Sequence, residues 1–449
     1  MVVTAWTGDY AGWGRNQAVR HRVARPLTPA DLAAVLRDRG SGPVLAHGCG
    51  RSYGDVALNP DGLLVDCRAL DRFVAFDPST GRLTCEAGVR LADILAVLCR
   101  PEPDGGGFFP PVSPGTRYVT VGGAIANDVH GKNHHALGSF GSHVESFDLL
   151  RSDGQVMRCS EAENQELFAA TIGGLGLTGI ILRATLRLRR VEGLALESED
   201  IRFGSLDAFF ALSAESDGAF EYTAAWIDCF AKGAALGRGI FSRARHAPGR
   251  GAPPPAREPR LTVPLTPPVS AVTGLSARAF NALYRRRLGR GGTARRIGPC
   301  GPVLYPLDSV GSWNRLYGPK GFFQFQNAVP ARDAREAMAA MLREIAAAGE
   351  GSILAVLKVF GNRPSPGLLS FPMEGATLAL DFPNRGEATF KLLQRLERIT
   401  LDAGGRIYPA KDSLMSPEAF RRGYPAAERF RDAMDPAFSS AFARRVGLR

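Results

Sequence analysis

Residues 114–143 read PGTRYVTVGGAIANDVHGKNHHALGSFGSH. After the opening Pro-Gly turn, glycine recurs at five further positions: Gly122, Gly123, Gly131, Gly138 and Gly141. The stretch also holds four of the seven histidines of the chain: His130, His134, His135 and His143. Because glycine lets a backbone approach a ligand closely, polar side chains threaded between glycines predict a loop that lines a pocket. The alternative is a glycine-rich connection with buried structural histidines.

A second glycine turn lies upstream, in VLAHGCGRSYGD (44–55). An apolar strand that runs into closely spaced glycines exposes backbone amides, and such turns cradle phosphate groups. No helix of the dinucleotide-binding pattern follows, so the turn does not belong to that class. Elsewhere the periodicity predicts strands at 82–88, 180–188, 322–330 and 375–383 and helices at 29–39 and 90–99, a mixture typical of an α+β protein.

The composition is that of a soluble globular protein of two or three domains, with 449 residues, 45% hydrophobic and 22% charged. No apolar run is long enough for a transmembrane helix, and we see no signal peptide, so we expect the protein in the cytoplasm or at the inner membrane surface, on either face. Seven cysteines stand singly. This pattern argues against a disulfide framework and predicts no metal site.

The net charge of +11 is concentrated in one segment. Residues 243–296 contain twelve arginines and one acidic residue, Glu258. Eight prolines in 243–272 predict a long mobile loop, and 275–290 reads as a basic amphipathic helix. This helix could lie on an anionic membrane, or it could be a solvated surface helix. Charge confined to one segment argues against nucleic-acid binding.

Only six lysines occur, whereas arginine is abundant. The pKa of a lysine can be tuned by its surroundings and that of an arginine cannot, so each lysine is a better candidate for a special role. Lys358 ends a predicted strand, and Lys411 follows Tyr408 in YPAKDS (408–413). Strict alternation in FFQFQNAVP (322–330) places Gln324 and Gln326 on one face of a strand.

Four motifs in order carry a resemblance to a known family: HGCGRSYGD (47–55), PGTRYVTVGGAIANDVHGKNHH (114–135), GGLGLTGI (173–180) and YPAKDS (408–413). Together they resemble the vanillyl-alcohol-oxidase, or PCMH-type, FAD-binding oxidoreductases, and within them the oxidases that act on decaprenylphosphoryl-β-D-ribose. The resemblance implies a two-domain α+β flavoprotein. Its FAD-binding domain would span 1–190 and be completed by 405–449, and a substrate-binding domain with an antiparallel sheet would span 191–404, with the basic insertion 243–296.

The resemblance implies FAD contacts along both glycine turns and at two later positions: Ala46, His47, Gly48, Cys49, Gly50, Arg51, Ser52, Tyr53, Gly54, Asp55, Gly115, Thr116, Thr120, Val121, Gly122, Gly123, Asn127, His130, Ile180 and Tyr408. In many relatives a histidine near the first turn bonds covalently to the flavin. Asp55 stands at that position here. A carboxylate cannot form the histidyl link, so we expect non-covalent FAD.

The same resemblance implies three catalytic residues, Lys411, His130 and Tyr53, and substrate contacts from Trp226, Gln324, Gln326, Lys358 and Lys411. Oxidation of an alcohol needs a partner for the hydroxyl proton while the hydride leaves to the flavin. Lys411 could be a neutral base, or a charged lysine that binds the phosphodiester and polarises the hydroxyl. Departures from the family pattern are Ala379 in place of cysteine, Thr377 in place of asparagine and Leu304 in place of tyrosine.

The implied function is FAD-dependent oxidation of the 2′-hydroxyl of a polyprenylphosphoryl-β-D-ribose, the first step of epimerisation to the arabinose lipid. A separate NAD(P)H-dependent short-chain reductase would complete that epimerisation, and the insertion would contact the membrane. The alternative is an FAD-dependent oxidase of a soluble sugar alcohol or aldonolactone that uses O₂.

Overall fold

The computed structural model describes residues 5–256, 258–259 and 261–449. Its first sheet contains β1 (Ala5–Thr7), β2 (His21–Ala24), β3 (Val44–His47) and β4 (Leu63–Asp66), in the order β1-β2-β4-β3. Strands β2, β4 and β3 run parallel. Helix α1 (Pro29–Arg37) connects β2 to β3. It begins there because Thr28 and Asp31 form a capping box.

The second sheet is antiparallel and has the order β5-β6-β10-β8-β9. The strands of this region are β5 (Phe73–Asp77), β6 (Arg82–Glu86), β7 (Gly107–Phe109), β8 (Val144–Leu150), β9 (Val156–Ser160), β10 (Ile180–Arg187) and β11 (Arg189–Val191). Helices α2 (Leu91–Leu98) and α3 (Val121–Ala126) share one apolar cluster with this sheet. The predicted elements at 29–39, 82–88, 90–99 and 180–188 therefore form, with ends shifted by a few residues.

The third sheet is the largest, with eight antiparallel strands in the order β16-β12-β14-β13-β19-β20-β18-β21. The strands of this half of the chain are β12 (Leu196–Phe203), β13 (Tyr222–Ile227), β14 (Gly239–His246), β15 (Leu261–Thr262), β16 (Thr293–Gly298), β17 (Val310–Gly311), β18 (Phe322–Pro330), β19 (Ala355–Phe360), β20 (Gly375–Pro383) and β21 (Arg406–Ile407). The antiparallel sheet that the resemblance implied is therefore present, and its assignment to a substrate-binding domain stays a prediction.

Helices cover one face of the eight-stranded sheet and leave the other for the cleft described below. The remaining helices are α4 (His134–Leu137), α5 (Gln165–Thr171), α6 (Leu206–Ser216), α7 (Gly274–Arg286), α8 (Gly301–Leu304), α9 (Ala334–Ala348), α10 (Glu387–Asp402), α11 (Pro417–Gly423), α12 (Ala427–Ala433) and α13 (Ala441–Arg445). On β20, Leu378, Leu380 and Phe382 belong to the core under α6, α9 and α10. Because side chains alternate along a strand, Thr377, Ala379 and Asp381 point to the opposite face.

In the basic segment, the helix predicted at 275–290 forms as α7, and the loop predicted at 243–272 contains two short stretches of strand among its described residues. Residues 243–246 continue strand β14, and Leu261–Thr262 forms β15, which pairs in parallel with β17; Arg257 and Arg260 lie outside the described residues. Many of its arginines are neutralised by acidic residues of β12. Arg243 and Arg295 pair with Glu199, Arg245 pairs with Glu197, and Arg287 pairs with Asp200.

The C-terminal residues return to the first sheet. Phe438 is fully buried in the apolar cluster of β3 and β4, and its backbone bridges Val44. The Arg445 guanidinium donates to both Asp55 oxygens at 2.8 Å and to Asp412 at 2.8 Å. These contacts favour a tail that completes the N-terminal domain, and the domain boundaries themselves stay a prediction. Along the described chain, every helix is too short or too polar to cross a lipid bilayer.

Candidate active site

A cleft of about 630 Å³ lies between the two glycine turns and the open face of the eight-stranded sheet. Its walls come from the 46–53 turn, from residues 114–132, and from strands β13, β18, β19 and β20. Residues 408–411 close one side, and parts of the basic segment reach the mouth. The chain thus brings segments separated by more than 300 residues to one enclosed site.

The two glycine turns pack directly against each other. A Cβ on Gly48 would lie 2.5 Å from Oγ1 of Thr120, and a Cβ on Gly122 would lie 2.9 Å from Cβ of Ala87. The Thr120 hydroxyl also accepts a hydrogen bond from the Gly123 amide at 3.1 Å, which starts α3. A side chain at Gly48 would push the two turns apart, and one at Gly122 would push the second turn away from Ala87. Packing therefore requires both glycines, as close ligand approach does.

Arg51 supplies a fixed positive charge to this half of the cleft. Its guanidinium carbon lies 4.1 Å from the ring centroid of Trp13 and 5.4 Å from that of Tyr118. Aromatic rings hold the planar guanidinium by cation–π attraction. A positive charge next to a glycine turn suits a pyrophosphate group.

Most residues that the resemblance implied for the cofactor line this cleft: Ala46, His47, Gly48, Cys49, Gly50, Arg51, Ser52, Tyr53, Gly115, Thr116, Thr120, Gly122, Gly123, Asn127, His130, Ile180 and Tyr408. All five residues implied for the substrate line it as well: Trp226, Gln324, Gln326, Lys358 and Lys411. Individual contacts to FAD and substrate stay predictions.

Three implied cofactor residues do not line the cleft. A Cβ on Gly54 would lie 1.7 Å from the Asp412 carbonyl oxygen, so Gly54 packs against the YPAKDS segment. Asp55 is buried and paired with Arg445. Val121 is fully buried in the core of the second sheet. These three residues are neighbours of cleft residues in the sequence, but the backbone directs them away from the cleft, and they pack against other parts of the protein.

His130 is held as a neutral imidazole in the centre of the site. Burial, together with the positive charges of Lys358 and Lys411, lowers its pKa well below the usual value. The Gln326 amide nitrogen donates to His130 Nε2 at 3.0 Å and to the Thr377 hydroxyl at 3.1 Å. His130 Nε2 is therefore an acceptor, which places the ring proton on Nδ1, and the carbonyl oxygen of Gln326 keeps its acceptor capacity.

Three of the six lysines meet in this cleft: Lys132, Lys358 and Lys411. Burial lowers the pKa of Lys411 to about 8, although Asp381 opposes that shift. Burial and the two neighbouring lysines lower the pKa of Lys358 to about 7, and burial lowers that of Lys132 to about 8. Three crowded ammonium groups repel one another, so an anion bound among them would raise all three pKa values.

Lys411 Nζ lies 3.9 Å from the ring centroid of Tyr53. Lys358 donates to the Gly131 carbonyl at 3.3 Å, and Lys132 donates to the Val303 carbonyl. Burial raises the pKa of the Tyr53 phenol well above its usual value. The phenol is therefore neutral, and a negative group next to Lys411 would have to come from Asp381 or from a ligand.

Asp381 stands behind Gln324 and was not singled out by the sequence. The two residues are directly opposite across β18 and β20, and the Gln324 amide nitrogen donates to Asp381 Oδ1 at 2.5 Å. This contact turns the Gln324 carbonyl oxygen away from Asp381. Burial raises the pKa of Asp381 to about 7, and the nearby Lys411 charge works against that shift.

Some residues that line the cleft were not named as site residues from the sequence. They are Trp13, Tyr118, Lys132, Asp308, Trp313 and, from the basic segment, Glu258, Pro259, Thr262 and Tyr284. Lys132 lies inside the HGKNHH motif and is one of only six lysines, so the rarity of lysine could have identified it. Glu258, Thr262 and Tyr284 carry no local signal, because only the packing of the insertion brings them to the cleft.

The departures from the family pattern fall in or beside the cleft. Ala379 and Leu304 line it. Thr377 accepts from Gln326, and the Tyr305 hydroxyl donates to Ser113 Oγ at 2.7 Å, away from the cleft lining. Ala379 presents a methyl group to the cleft at the position for which the resemblance implied a thiol, so we expect thiol-alkylating reagents not to react there.

The residues present fit an FAD group. The pair of cleft atoms Asn127 Oδ1 and His130 Nδ1 is buried, and neither atom has a hydrogen-bond partner among the described residues. One is an acceptor and the other a donor, and a flavin ring system offers both complementary kinds of atom. The Tyr408 hydroxyl donates to the Asn127 carbonyl at 3.0 Å, which fixes this edge of the cleft.

Known proteins match both the N-terminal part and the whole chain. A family model described as an FAD binding domain matches residues 21–160. Decaprenylphosphoryl-beta-D-ribose oxidase of Mycolicibacterium smegmatis is 38% identical over 97% of this chain and 97% of its own length.

Two further relatives show how the resemblance is distributed. An uncharacterised protein in the mprA 5′ region of Streptomyces coelicolor is 37% identical over 80% of this chain and 99% of its own length. Cytokinin dehydrogenase 10 of Oryza sativa subsp. japonica is 31% identical over only 46% of this chain and 39% of its own. The oxidase of Mycolicibacterium smegmatis, by contrast, matches 97% of this chain, and the FAD binding domain model matches its N-terminal part. The chain therefore belongs to the decaprenylphosphoryl-β-D-ribose oxidase family of FAD-binding flavoproteins.

Proposed function

We propose that this protein is an FAD-dependent oxidase that converts the 2′-hydroxyl of a polyprenylphosphoryl-β-D-ribose to a ketone. The observation that carries the proposal is the meeting of Lys132, Lys358 and Lys411 with Gln324 and Gln326 in one cleft. In their protonated form these lysines attract a phosphodiester anion, whose charge in turn raises their pKa values. Amide oxygens accept hydrogen bonds from sugar hydroxyls. The full-length similarity to an oxidase of that substrate supports the same assignment.

Bound FAD supplies the hydride acceptor. Gly48, Gly50, Arg51, Thr120 and Gly123 would hold its phosphate groups and the adjoining part of the cofactor. Asp55 faces Arg445 and not the cleft, so we propose that the attachment is non-covalent. Acid precipitation tests this directly: the yellow colour should appear in the supernatant, and a yellow pellet would contradict it.

Lys411 is proposed to take the hydroxyl proton at Nζ. With a pKa of about 8, a substantial fraction of the amine is neutral near physiological pH, as a general base requires. Lys358 and Lys132, in their protonated forms, would hold the phosphodiester. The Gln326 carbonyl oxygen, kept free by His130 and Thr377, and the Gln324 carbonyl oxygen, directed by Asp381, would accept from ribose hydroxyls.

The experiment that tests the function is anaerobic reduction of the purified yellow protein. A short-chain prenylphosphoryl-β-D-ribose should bleach the flavin, whereas the 2′-epimeric arabinose compound and a prenyl phosphate without sugar should not. Rapid peroxide formation with free polyols or aldonolactones, and no bleaching by any phosphoryl ribose, would instead assign an oxidase of soluble sugars.

Epimerisation of the ribose to the arabinose configuration requires a second reaction that reduces the ketone. We propose that a separate NAD(P)H-dependent short-chain reductase reduces the 2′-keto sugar on the opposite face, because hydride delivery from that face gives the arabinose configuration. Mixing the two proteins should convert ribose lipid to arabinose lipid with consumption of NAD(P)H. Accumulation of the ketone in the presence of such a reductase would contradict this partnership.

We also propose that the basic segment contacts an anionic membrane surface. Arg286 lies in the last turn of α7 and Arg290 in the turn that follows, and both are exposed, as are the apolar side chains of Leu275, Phe280 and Leu283 in α7. Arginines next to apolar groups suit the interface of an anionic bilayer. Arg286→Glu with Arg290→Glu should weaken co-sedimentation with phosphatidylglycerol vesicles, and undiminished binding would contradict the contact.

A further inference from the structure

Helix α7 carries its large apolar side chains on the side that faces solvent. Leu275, Phe280 and Leu283 are 81%, 41% and 69% exposed. The buried residues of the helix are instead Ala277 and Asn281, and the Asn281 amide donates to Asp228 Oδ1 at 3.1 Å. A surface helix normally places its apolar stripe against the core. The outward apolar face of α7 is therefore available for a ligand.

A continuous run of aromatic rings joins that face to the cleft. Trp226 and Tyr284 both line the cleft, and their ring centroids are 4.8 Å apart. Tyr284 stacks in turn on Phe280, with centroids 5.5 Å apart and an angle of 17° between the rings. Leu283 lies one turn from Phe280 on the same helix. The rings of Trp226, Tyr284 and Phe280 thus form an unbroken series of contacts from the cleft to the outer face of α7.

Neighbouring charges hold this aromatic run in place. The Arg287 guanidinium carbon lies 4.4 Å from the Tyr284 ring centroid, and Arg287 also pairs with Asp200 at 2.9 Å. The Trp226 indole nitrogen donates to the Ile353 carbonyl at 3.2 Å. The rings nearest the cleft are therefore fixed, whereas Leu275, Phe280 and Leu283 stand exposed further out.

We propose that the outward apolar face of α7 binds the isoprenoid chain of the substrate where that chain leaves the cleft. The inference rests on the proposed function, because the phosphodiester held by the cleft lysines has its lipid chain on the side away from the ribose. Isoprenoid chains are apolar and unsaturated, and they gain free energy when they cover exposed leucine and phenylalanine side chains.

Prenyl phosphates without a sugar test this site independently of oxidation. We would measure dissociation constants of dimethylallyl, geranyl and farnesyl phosphate for the FAD-loaded protein by calorimetry, in buffer without membranes. The wild type should bind more tightly by on the order of tenfold for each added isoprene unit, since each unit covers several methylene groups of which part stays exposed. The readout is the ratio of farnesyl to dimethylallyl affinity.

Phe280→Ser with Leu283→Ser should remove most of that ratio, and circular dichroism would establish that the helix remains. Leu27→Ser is the matched control, because Leu27 is 64% exposed and outside the cleft lining; it should keep the wild-type ratio. A flat chain-length series in the wild type, or an unchanged ratio in the double variant, would overturn the proposal.

Two results separate this site from its alternatives. If the double variant loses vesicle binding but keeps the farnesyl ratio, the bilayer covers this face and the isoprenoid proposal is overturned. If the farnesyl ratio behaves as expected but no phosphoryl ribose bleaches the flavin, the isoprenoid site stands and the proposed oxidation fails.

Discussion

The pKa of Lys411 is set by its surroundings in the cleft. A lysine in water is protonated at neutral pH, but this one is buried against the Tyr53 ring, and its pKa falls to about 8. Lys132 and Lys358 experience the same burial. The cleft therefore holds three amines that can gain or lose a proton near physiological pH. A bound phosphodiester would raise the pKa of the amines closest to it and so keep them protonated.

The first prediction concerns the protonation of Lys411. Because its amine becomes neutral as the pH rises through about 8, the rate of flavin reduction should rise with pH around that value. Lys411→Met should reduce that rate by on the order of a hundredfold or more, with FAD still bound. Stopped-flow bleaching measures both effects.

Lys411→Arg distinguishes the two roles considered for this residue. Arginine keeps the charge but cannot become neutral. If Lys411 is the base, the arginine variant should be as slow as the methionine variant. An arginine variant of nearly normal rate would show that Lys411 acts as a fixed positive charge.

A second residue prediction concerns Asp381, which touches Gln324 and influences Lys411 through its charge. The groups that face Asp381 are Gln324, Tyr53, Tyr317 and Lys411. Asp381→Asn removes a negative charge near Lys411, so the pKa of that lysine should fall, and the rise in rate should move to lower pH. The amide can also reverse the orientation of Gln324, which should slow flavin reduction about tenfold.

Asp435→Asn is the control for this variant, because Asp435 is equally buried and pairs with Arg151 outside the cleft lining. It should leave the pH profile in place. An Asp381→Asn profile that coincides with the wild-type profile would remove Asp381 from the charge balance of the site.

At the scale of elements, the site depends on alternation along neighbouring strands. Directly opposite residues on β18 and β20 share a face, which pairs Gln324 with Asp381 and Gln326 with Ala379. On the next strand, Lys358 is opposite Thr377. A shift of one residue in the register of β18 would turn both glutamines into the core under α9 and α10.

The first glycine turn contacts the C-terminal segment at Gly54, which packs against Asp412. A Cβ on Gly54 would lie 1.7 Å from the Asp412 carbonyl oxygen, so Gly54→Ala should force the turn away from the segment that carries Lys411. We expect a loss of about 1–3 kcal/mol in the free energy of unfolding, as for other overpacked sites, and weaker FAD retention on gel filtration.

Gly42→Ala serves as the comparison, because a Cβ at Gly42 meets no atom within 4 Å. It should keep both stability and FAD. Equal FAD retention by the two alanine variants would show that the turn and the tail can separate without cost to the cofactor site.

Across the whole molecule, Arg445 ties the last helix to both ends of the site. It binds Asp55, Asp412 and the Met415 carbonyl at distances of 2.6–2.8 Å. Arg445→Met would leave two buried carboxylates without their cation, which typically costs about 3 kcal/mol or more. Urea unfolding should show that loss, and the FAD should dissociate more readily.

Arg332, which forms an exposed ion pair with Asp333, is the matched control for Arg445. Arg332→Met should change the free energy of unfolding by less than about 1 kcal/mol. If Arg445→Met is no more destabilising than this control, then α13 does not hold the glycine turn against the tail.

The sequence by itself determined the α+β class and the two glycine turns, and most of the site residues that the family resemblance implied do line the cleft. Local periodicity and glycine spacing are properties of short segments, so they can be read without knowing the fold. The motif around Lys411 and the alternation around Gln324 and Gln326 are likewise features of short segments. The cofactor assignment followed because those motifs occur together and in order.

Only the tertiary structure decided which neighbours of those motifs enter the site. It turned Gly54, Asp55 and Val121 into packing contacts, and it placed Asp381 behind Gln324. It also brought Tyr284 of the insertion to the cleft and left the apolar face of α7 exposed. These outcomes depend on burial and on charges from segments distant in sequence, and such interactions exist only once the chain has packed.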